Sequence, residues 1–227
     1  MPMSAACVLP DINADLDQRA RVDTTTLDWE ASPSGTVWRK PLYRQGGEYG
    51  PVTSLVRYAP GGVFRPHAHP EGEEILVLEG IFADEHGEYP AGSYLLNPEG
   101  STHAPRSETG CTLFVRLRQY AGADRVHAIV NTTAMPWAPG TVAGLSVKTL
   151  YTQAAYPERM ALVRWAPGTV FRPHVHPGGE EILVLEGELC DEWGRYGPGC
   201  WLRNPHMSRH TPYSECGCLI YVRVGGL

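Results

Sequence analysis

The chain has 227 residues, 42% of them hydrophobic, enough for packed cores and too apolar for a wholly disordered polymer. Its 19 Lys and Arg against 25 Asp and Glu give a net charge of −6 with no basic stripe, which argues against nucleic acid as a partner. The length fits one large domain or two of ordinary size, and the 25 Gly and 20 Pro point to many turns between short strands.

The N-terminal MPMSAACVLPDINADLDQR has no cationic stretch leading into an apolar run, and no segment has the length and apolarity of a membrane span. A cytoplasmic protein without membrane contact is therefore expected. The six cysteines (Cys7, Cys111, Cys190, Cys200, Cys216, Cys218) include no CxxC pair, as expected for reduced thiols buried mostly in strands. Residues 1–25 read as an arm of low apolar periodicity, belonging to neither of the repeats that follow and free to pack as a strand, drape over a neighbour or stay disordered as termini often do.

From there the apolar period is two, so strands are predicted over 53–58, 74–79, 92–96 and 111–117, with a hairpin turn at Asp84-Glu85-His86-Gly87 in which Gly87 is free to take a positive φ. No convincing helix is present. The stretch GGVFRPHAHPEGEEILVLEG (61–80) returns as GTVFRPHVHPGGEEILVLEG (168–187), and the register, an offset of 107, holds through Asn97-Pro98/Asn204-Pro205 and Gly110-Cys111/Gly217-Cys218. Upstream, Trp29 and Lys40 match Trp137 and Lys148, one residue out of register. Two tandem copies of one domain are thus expected, over 26–125 and 126–227.

Within each copy, His-x-His on a strand aims two imidazoles at one point, and a carboxylate four residues on can join them: His67, His69 and Glu73, then His174, His176 and Glu180. Imidazole with carboxylate suits first-row divalent metals. Glu74 and Glu181 fall on the opposite face by parity and read as solvent-facing or structural. Lone His86, His127 and His206 read as ordinary surface or core residues, His127 with no clear counterpart in the other copy. Arg57 and Arg164 occupy matching strand positions, where they either line the pocket or pair with a glutamate at the barrel rim. Cys216 and Cys218, on one strand face, read as small core residues rather than as a redox pair.

The first cluster, Gly-x5-His-x-His-x3-Glu-x6-Gly, is followed in copy one by Gly-x5-Pro-x-Gly-x2-His and in copy two by the same pattern with Met207 in place of the second Gly. Together they resemble the two signature motifs of the cupin superfamily. The resemblance implies an all-β fold of two tandem jelly-roll barrels, with ligands His67, His69, Glu73 and His103 in the first and His174, His176, Glu180 and His210 in the second. Ser107 and Ser214 stand where the family often has Asn.

The phrase EEILVLEG, with the DExGxY turn, the NP segment and the GC strand, is similar to the ChrR-type cupins, the cupin half of ChrR anti-sigma factors. That likeness implies up to one divalent transition metal per barrel (Zn or Fe, with Mn or Ni as further options) and a stress- or ligand-responsive regulatory protein. The His-x3-Cys-x2-Cys module of those factors has no match before Trp29, which argues against sigma-factor binding. Relatives imply the alternative of an Fe(II) dioxygenase that cleaves carbon–carbon bonds of diketones or hydroxyketones. A small-molecule ligand is expected in either case, and a homo-oligomer or a pseudo-dimer within one chain. Three imidazoles and one carboxylate leave coordination positions open but name no catalytic side chain.

Overall fold

The computed structural model describes residues 9–227, the side chain of Glu48 excepted. Its helical content among these residues is two three-residue 3₁₀ turns, Thr24–Thr26 and Gly47–Tyr49. The described chain divides into two units, one formed by Trp29–His127 with residues 9–14, the other by Asp15–Asp28 with Ala128–Leu227.

In the first unit one antiparallel sheet runs in the order Ser93–Asn97, Glu73–Ala83, Cys111–Leu117, Val52–Tyr58, Val37–Arg44 and Glu30–Ala31. These segments alternate apolar and polar residues. One face gathers Val56, Tyr58, Ile75, Val77, Leu95, Leu113 and Val115 into the barrel core. The long strand Glu73–Ala83 serves two sheets, because its far end pairs instead with Glu88–Pro90 and Arg106–Ser107. It turns at Gly80, where the register against Cys111–Leu117 shifts nearby. Gly80 has φ 71°, and a Cβ there would lie 2.0 Å from the Gly110 carbonyl oxygen, so only glycine fits.

The second unit repeats this plan. Its main sheet runs Ala20–Asp23, Cys200–Asn204, Glu180–Gly187, Cys218–Val224, Arg159–Trp165, Leu145–Thr152 and Ala138–Pro139. A smaller sheet joins Thr169–Val170, Tyr213–Ser214, Leu189–Asp191 and Gly194–Tyr196. The core holds Trp165, Ile182, Val184, Leu189, Tyr196, Leu202 and Ile220. The protein is all-β, and each unit is a jelly-roll barrel as the repeats imply.

Several local expectations change on contact with the structure. The arm does pack as a strand, one of the expectations for it, but its residues 15–28 belong to the second unit rather than to neither repeat: Ala20–Asp23 pairs antiparallel with Cys200–Asn204, and Arg203 Nη2 donates to the Asp15 carbonyl at 2.8 Å, while Ile12 bridges to Arg44. Asp84-Glu85-His86-Gly87 does form the hairpin turn, closed by Asp84 N to the Gly87 carbonyl at 3.0 Å, but Gly87 is not among the positive-φ residues. Asp84 Oδ1 accepts from the His86 and Gly87 amides, so the side chain rather than a left-handed glycine shapes the bend.

Glu74 and Glu181 do lie opposite the core face, yet they are 1% and 2% exposed, not solvent-facing. Glu74 accepts from Arg116 Nη1 at 2.7 Å and from the Tyr120 hydroxyl, and Glu181 accepts from Trp201 Nε1 at 2.7 Å. Arg57 and Arg164 neither line the pocket nor pair with a rim glutamate. Their guanidinium carbons stand 4.5 Å over Trp29 and 4.2 Å over Trp137, on the face away from the core. Cys216 is exposed in a bend before the strand that Cys218 opens from within, so the two thiols share no strand face. Cys7 lies outside the described residues.

Candidate metal centres

In each unit a two-stranded ribbon faces the start of the long strand. In the first, His67–Ala68 pairs with Thr102–His103 so that His67 stands opposite His103, and His69 donates its amide to the Ser101 carbonyl at 2.9 Å. In the second, His174–His176 pairs with Ser208–His210, with His174 opposite His210. The tight return between ribbon and strand explains why Glu73 falls below the imidazoles. Gly72 has φ 72°, and a Cβ there would lie 2.9 Å from Tyr120 atoms and 3.0 Å from the Asn97 carbonyl oxygen.

The second centre brings all four expected donors together: one atom from each of His174, His176, Glu180 and His210, all within 4.8 Å of one another. His176 Nε2 and His210 Nε2 are 2.9 Å apart, and Glu180 Oε2 is 3.5 Å from each. In the first centre, donor nitrogens of His67, His69 and His103 meet the same 4.8 Å criterion. Glu73 Oε2 sits 3.3 Å from His69 Nε2 and 3.5 Å from His103 Nε2. His69 Nε2 and His103 Nε2 are again 2.9 Å apart.

The outer atoms of these side chains are tied down. His67 Nδ1 lies 2.9 Å from the Arg65 carbonyl and His174 Nδ1 3.1 Å from that of Arg172. These nitrogens therefore carry the proton and leave Nε2 with a free lone pair toward the centre. Asn97 Nδ2 donates to Glu73 Oε2 at 3.0 Å, and Asn204 Nδ2 donates to Glu180 Oε2 at 2.9 Å. Asp191 Oδ2 stands 3.4 Å from His210 Nδ1 within hydrogen-bond geometry. Asp84 Oδ2 stands 3.5 Å from His103 Nδ1 in the same way. Ser107 and Ser214 have structural work: each hydroxyl donates to a carbonyl at 2.6 Å, of Ile81 and Glu188 respectively.

Burial sets the protonation. Desolvation lowers His69 and His176 to about 3 and lowers His103 and His174 as well, so these four imidazoles are neutral. Desolvation pushes Glu73 up to about 8 and raises Glu180. Neutral imidazoles facing a buried carboxyl that resists ionisation form a site whose electrostatics a dication would satisfy. With no thiolate in either set, the donors suit the borderline first-row metals rather than a soft-ligand site. One imidazole of each set, His67 and His174, is only half-buried, while the other two are buried. Aromatic rings wall that side: Phe64 lies 5.2 Å from His67 and Phe171 4.6 Å from His174, centroid to centroid.

The remaining histidines stand apart. His86 and His127 are exposed, and His206 Nδ1 accepts the Gly178 amide at 2.8 Å. Sequence reading missed the tethers Asn97/Asn204 and Asp84/Asp191, although both pairs recur in the 107-residue register.

The family model described as the ChrR cupin-like domain matches residues 17–121 and again 125–227. The chain belongs to the ChrR cupin-like family. Its tandem domains make it a bicupin, and solved structures share that fold at low identity. A protein of Nostoc punctiforme provisionally named a dioxygenase is 17% identical with a TM-score of 0.77, covering 93% of this chain and 84% of that one. Protein YlbA of E. coli is 15% identical with a TM-score of 0.73, covering 98% and 96%. An oxalate decarboxylase from Lactobacillus farciminis is 12% identical with a TM-score of 0.66, covering 92% and 86%. No curated protein matches the sequence. Among the described residues, no helix of the bicupin is long and apolar enough to cross a membrane.

Proposed function

We propose that each barrel holds one divalent transition metal and that the protein is a metal-dependent enzyme of the dioxygenase type acting on a small diketone or hydroxyketone. The observation carrying this reading is the second centre, where three imidazoles and a carboxylate converge within 4.8 Å without a thiolate. A structural zinc site is closed by four tight ligands, usually including cysteine. Here one imidazole of each set stays half-buried on an aromatic-walled side, which leaves room for a ligand to approach. In the first barrel His67, His69, Glu73 and His103 would hold the metal; in the second His174, His176, Glu180 and His210 would. The metal would supply Lewis-acid polarisation of substrate oxygens or, as iron, the electrons for oxygen chemistry. The chain's own part is to keep the imidazoles neutral, to hold Glu73 and Glu180 through Asn97 and Asn204, and to surround the site with apolar walls that exclude water. The dioxygenase name of the Nostoc relative is consistent with this reading.

Family membership favours a second reading, in which the centres belong to a regulatory protein responding to oxidants or small ligands. One experiment separates the two. Protein is purified without oxygen and without a histidine tag, its metal content is measured by mass spectrometry, and oxygen uptake is followed on adding acetylacetone and hydroxyacetophenone. Iron near two per chain with oxygen uptake supports the enzyme. Zinc in both sites without uptake supports the regulatory protein, and no metal at all overturns both.

A further inference from the structure

We propose that Arg19, contributed by the N-terminal arm, is a positioning residue of the second metal centre and has no equivalent in the first. This inference rests on the reading of the centres as metal sites. Arg19 Nε donates to Asn204 Oδ1 at 2.8 Å, and its Nη2 donates to Asp191 Oδ2 at 2.6 Å and to the Tyr196 hydroxyl at 2.8 Å. Two of these acceptors, Asn204 and Asp191, are the tethers of two different ligands. Asn204 turns its amide nitrogen to Glu180 at 2.9 Å, and Asp191 faces His210 Nδ1 at 3.4 Å. With Oδ1 of Asn204 held by a cation that can only donate, the amide is locked in the orientation that presents Nδ2 to Glu180. One planar guanidinium thus fixes a carboxylate ligand and an imidazole ligand together, a task suited to its rigid fork.

The surroundings hold Arg19 in place. Its side chain is 22% exposed, its partner Asp191 2%, and the Trp193 ring lies 4.4 Å from the guanidinium carbon. Asp191 is itself bound by the Tyr196 hydroxyl at 2.6 Å and the Trp193 amide at 2.9 Å, so the network is closed.

The first unit keeps the inner half of this arrangement in Asn97 and Asp84 but lacks the clamp. The segment Ala20-Arg21-Val22-Asp23-Thr24-Thr25 recurs as Ala128-Ile129-Val130-Asn131-Thr132-Thr133. The same turn closes each: Asp23 Oδ1 accepts from the Thr25 amide and hydroxyl at 3.0 and 2.6 Å, and Asn131 Oδ1 accepts from those of Thr133 at 3.0 and 2.7 Å. The residue matching Arg19 is therefore His127, which is exposed. Among the described residues, no arginine ties Asp84 to Asn97, although Asp84 Oδ2 faces His103 Nδ1 at 3.5 Å much as Asp191 faces His210 at 3.4 Å.

The test uses the full chain stripped of metal and titrated with cobalt(II), read by its visible absorbance bands and by competition with a chelator. Silencing the first centre with His67→Ala and His69→Ala isolates the second; silencing the second with His174→Ala and His176→Ala isolates the first. In the isolated second centre, Arg19→Ala and Arg19→Lys weaken cobalt binding about 10–100-fold and shift the absorbance bands, because outer partners orient the ligands. In the isolated first centre neither change has an effect. Arg21→Ala is the control: Arg21 Nη2 anchors the same strand to the Arg195 carbonyl at 3.3 Å but touches neither tether, so it leaves the cobalt spectrum unchanged. If Arg19→Ala fails to fold, Arg19→Lys, which keeps the charge and loses the fork, carries the test. Unchanged affinity and spectrum in the Arg19 variants overturn the inference, as does an equal loss in Arg21→Ala, which would reduce the arm to a docking strand. A second centre that binds no cobalt with Arg19 intact would overturn the metal reading itself, and this inference with it.

Discussion

The two barrels have kept the same inner donors and the tethers Asn97/Asn204 and Asp84/Asp191, and changed several of the residues around them. Position by position, Phe82 in the first core is Leu189 in the second, Tyr58 is Trp165, Ala83 is Cys190, and Gly100 is Met207. In the first barrel Phe82 packs edge-on to Tyr58 at 6.1 Å, stacks on Tyr89 at 6.0 Å and reaches to 6.0 Å from His103. In the second that ring is absent, and the chain instead brings Arg19 to the outer side of His210 and Glu180. One centre is supported by aromatic packing, the other by a charged hydrogen-bond network. Duplicated sites of one ancestry can thus hold the same ligands with different rigidity, and equal affinity for metal is not expected of them.

The sharpest way to break the comparison is to remove ligands. His69→Ala and His176→Ala each abolish one metal equivalent and leave the other, read as stoichiometry in chelator-treated and reloaded protein. Loss of both equivalents from either change would show that the centres are not independent.

A large effect on stability is expected away from the metal. Arg116→Leu takes the Nη1 donor away from Glu74, which is buried at 1% exposure, and costs about 3–5 kcal/mol in denaturant unfolding. A cost below roughly 1 kcal/mol would mean that the carboxyl's other partners, the Tyr120 hydroxyl among them, satisfy it.

Protonation distinguishes the stripped protein from the loaded one. Glu73, raised to about 8, favours folding while protonated, so its contribution declines as pH rises from 4.5 to 8. His69 and His176, lowered to about 3, favour folding while neutral, so their contribution grows from pH 3 to 6.5 and is complete above it. Between pH 6.5 and 8 Glu73 still titrates, and with it the Tm of metal-free protein falls. Saturating metal needs the ionised carboxylate, so it removes or reverses that slope. A rising Tm in stripped protein over this interval would contradict the burial assigned to Glu73.

The smallest effect sharpens a single difference. Met207 adopts φ 61° where Gly100 adopts 82°, and its side chain is exposed. Met207→Gly relieves the left-handed strain and stabilises the second barrel by about 0.5–1 kcal/mol after the extra entropy of glycine is counted. Thermal unfolding shows it, and destabilisation would mean the methionine packs on something outside the chain.

The ligands, the strands and the duplication were legible because each rests on spacing, and spacing is what a sequence records. The faces of Glu74 and Glu181 were legible too, but parity gives a direction and says nothing of what covers it. Arg57 and Arg164 were misplaced for a related reason: Trp29 and Trp137 were seen to match without being linked to the arginines that stack on them. The arm's kinship with residues 128–133 escaped notice because the repeat is six residues long with two identities outside the threonines, Ala20/Ala128 and Val22/Val130, too short to outweigh its polar composition. Arg19 had no motif at all. Its meaning lies in partners 172 to 185 residues away.

That separation has a consequence during synthesis. Asn204 leaves the ribosome 185 residues after Arg19. At translation rates of about 5–20 residues per second the arm waits roughly 10–40 s for its partner strand. The first barrel's strands are all translated before that partner exists, while the second cannot complete its edge until Cys200–Asn204 has emerged. The arm acts as a timer on assembly: a chain truncated before Cys200 has nowhere to seat Ala20–Asp23, and it presents an unpaired strand edge to quality control.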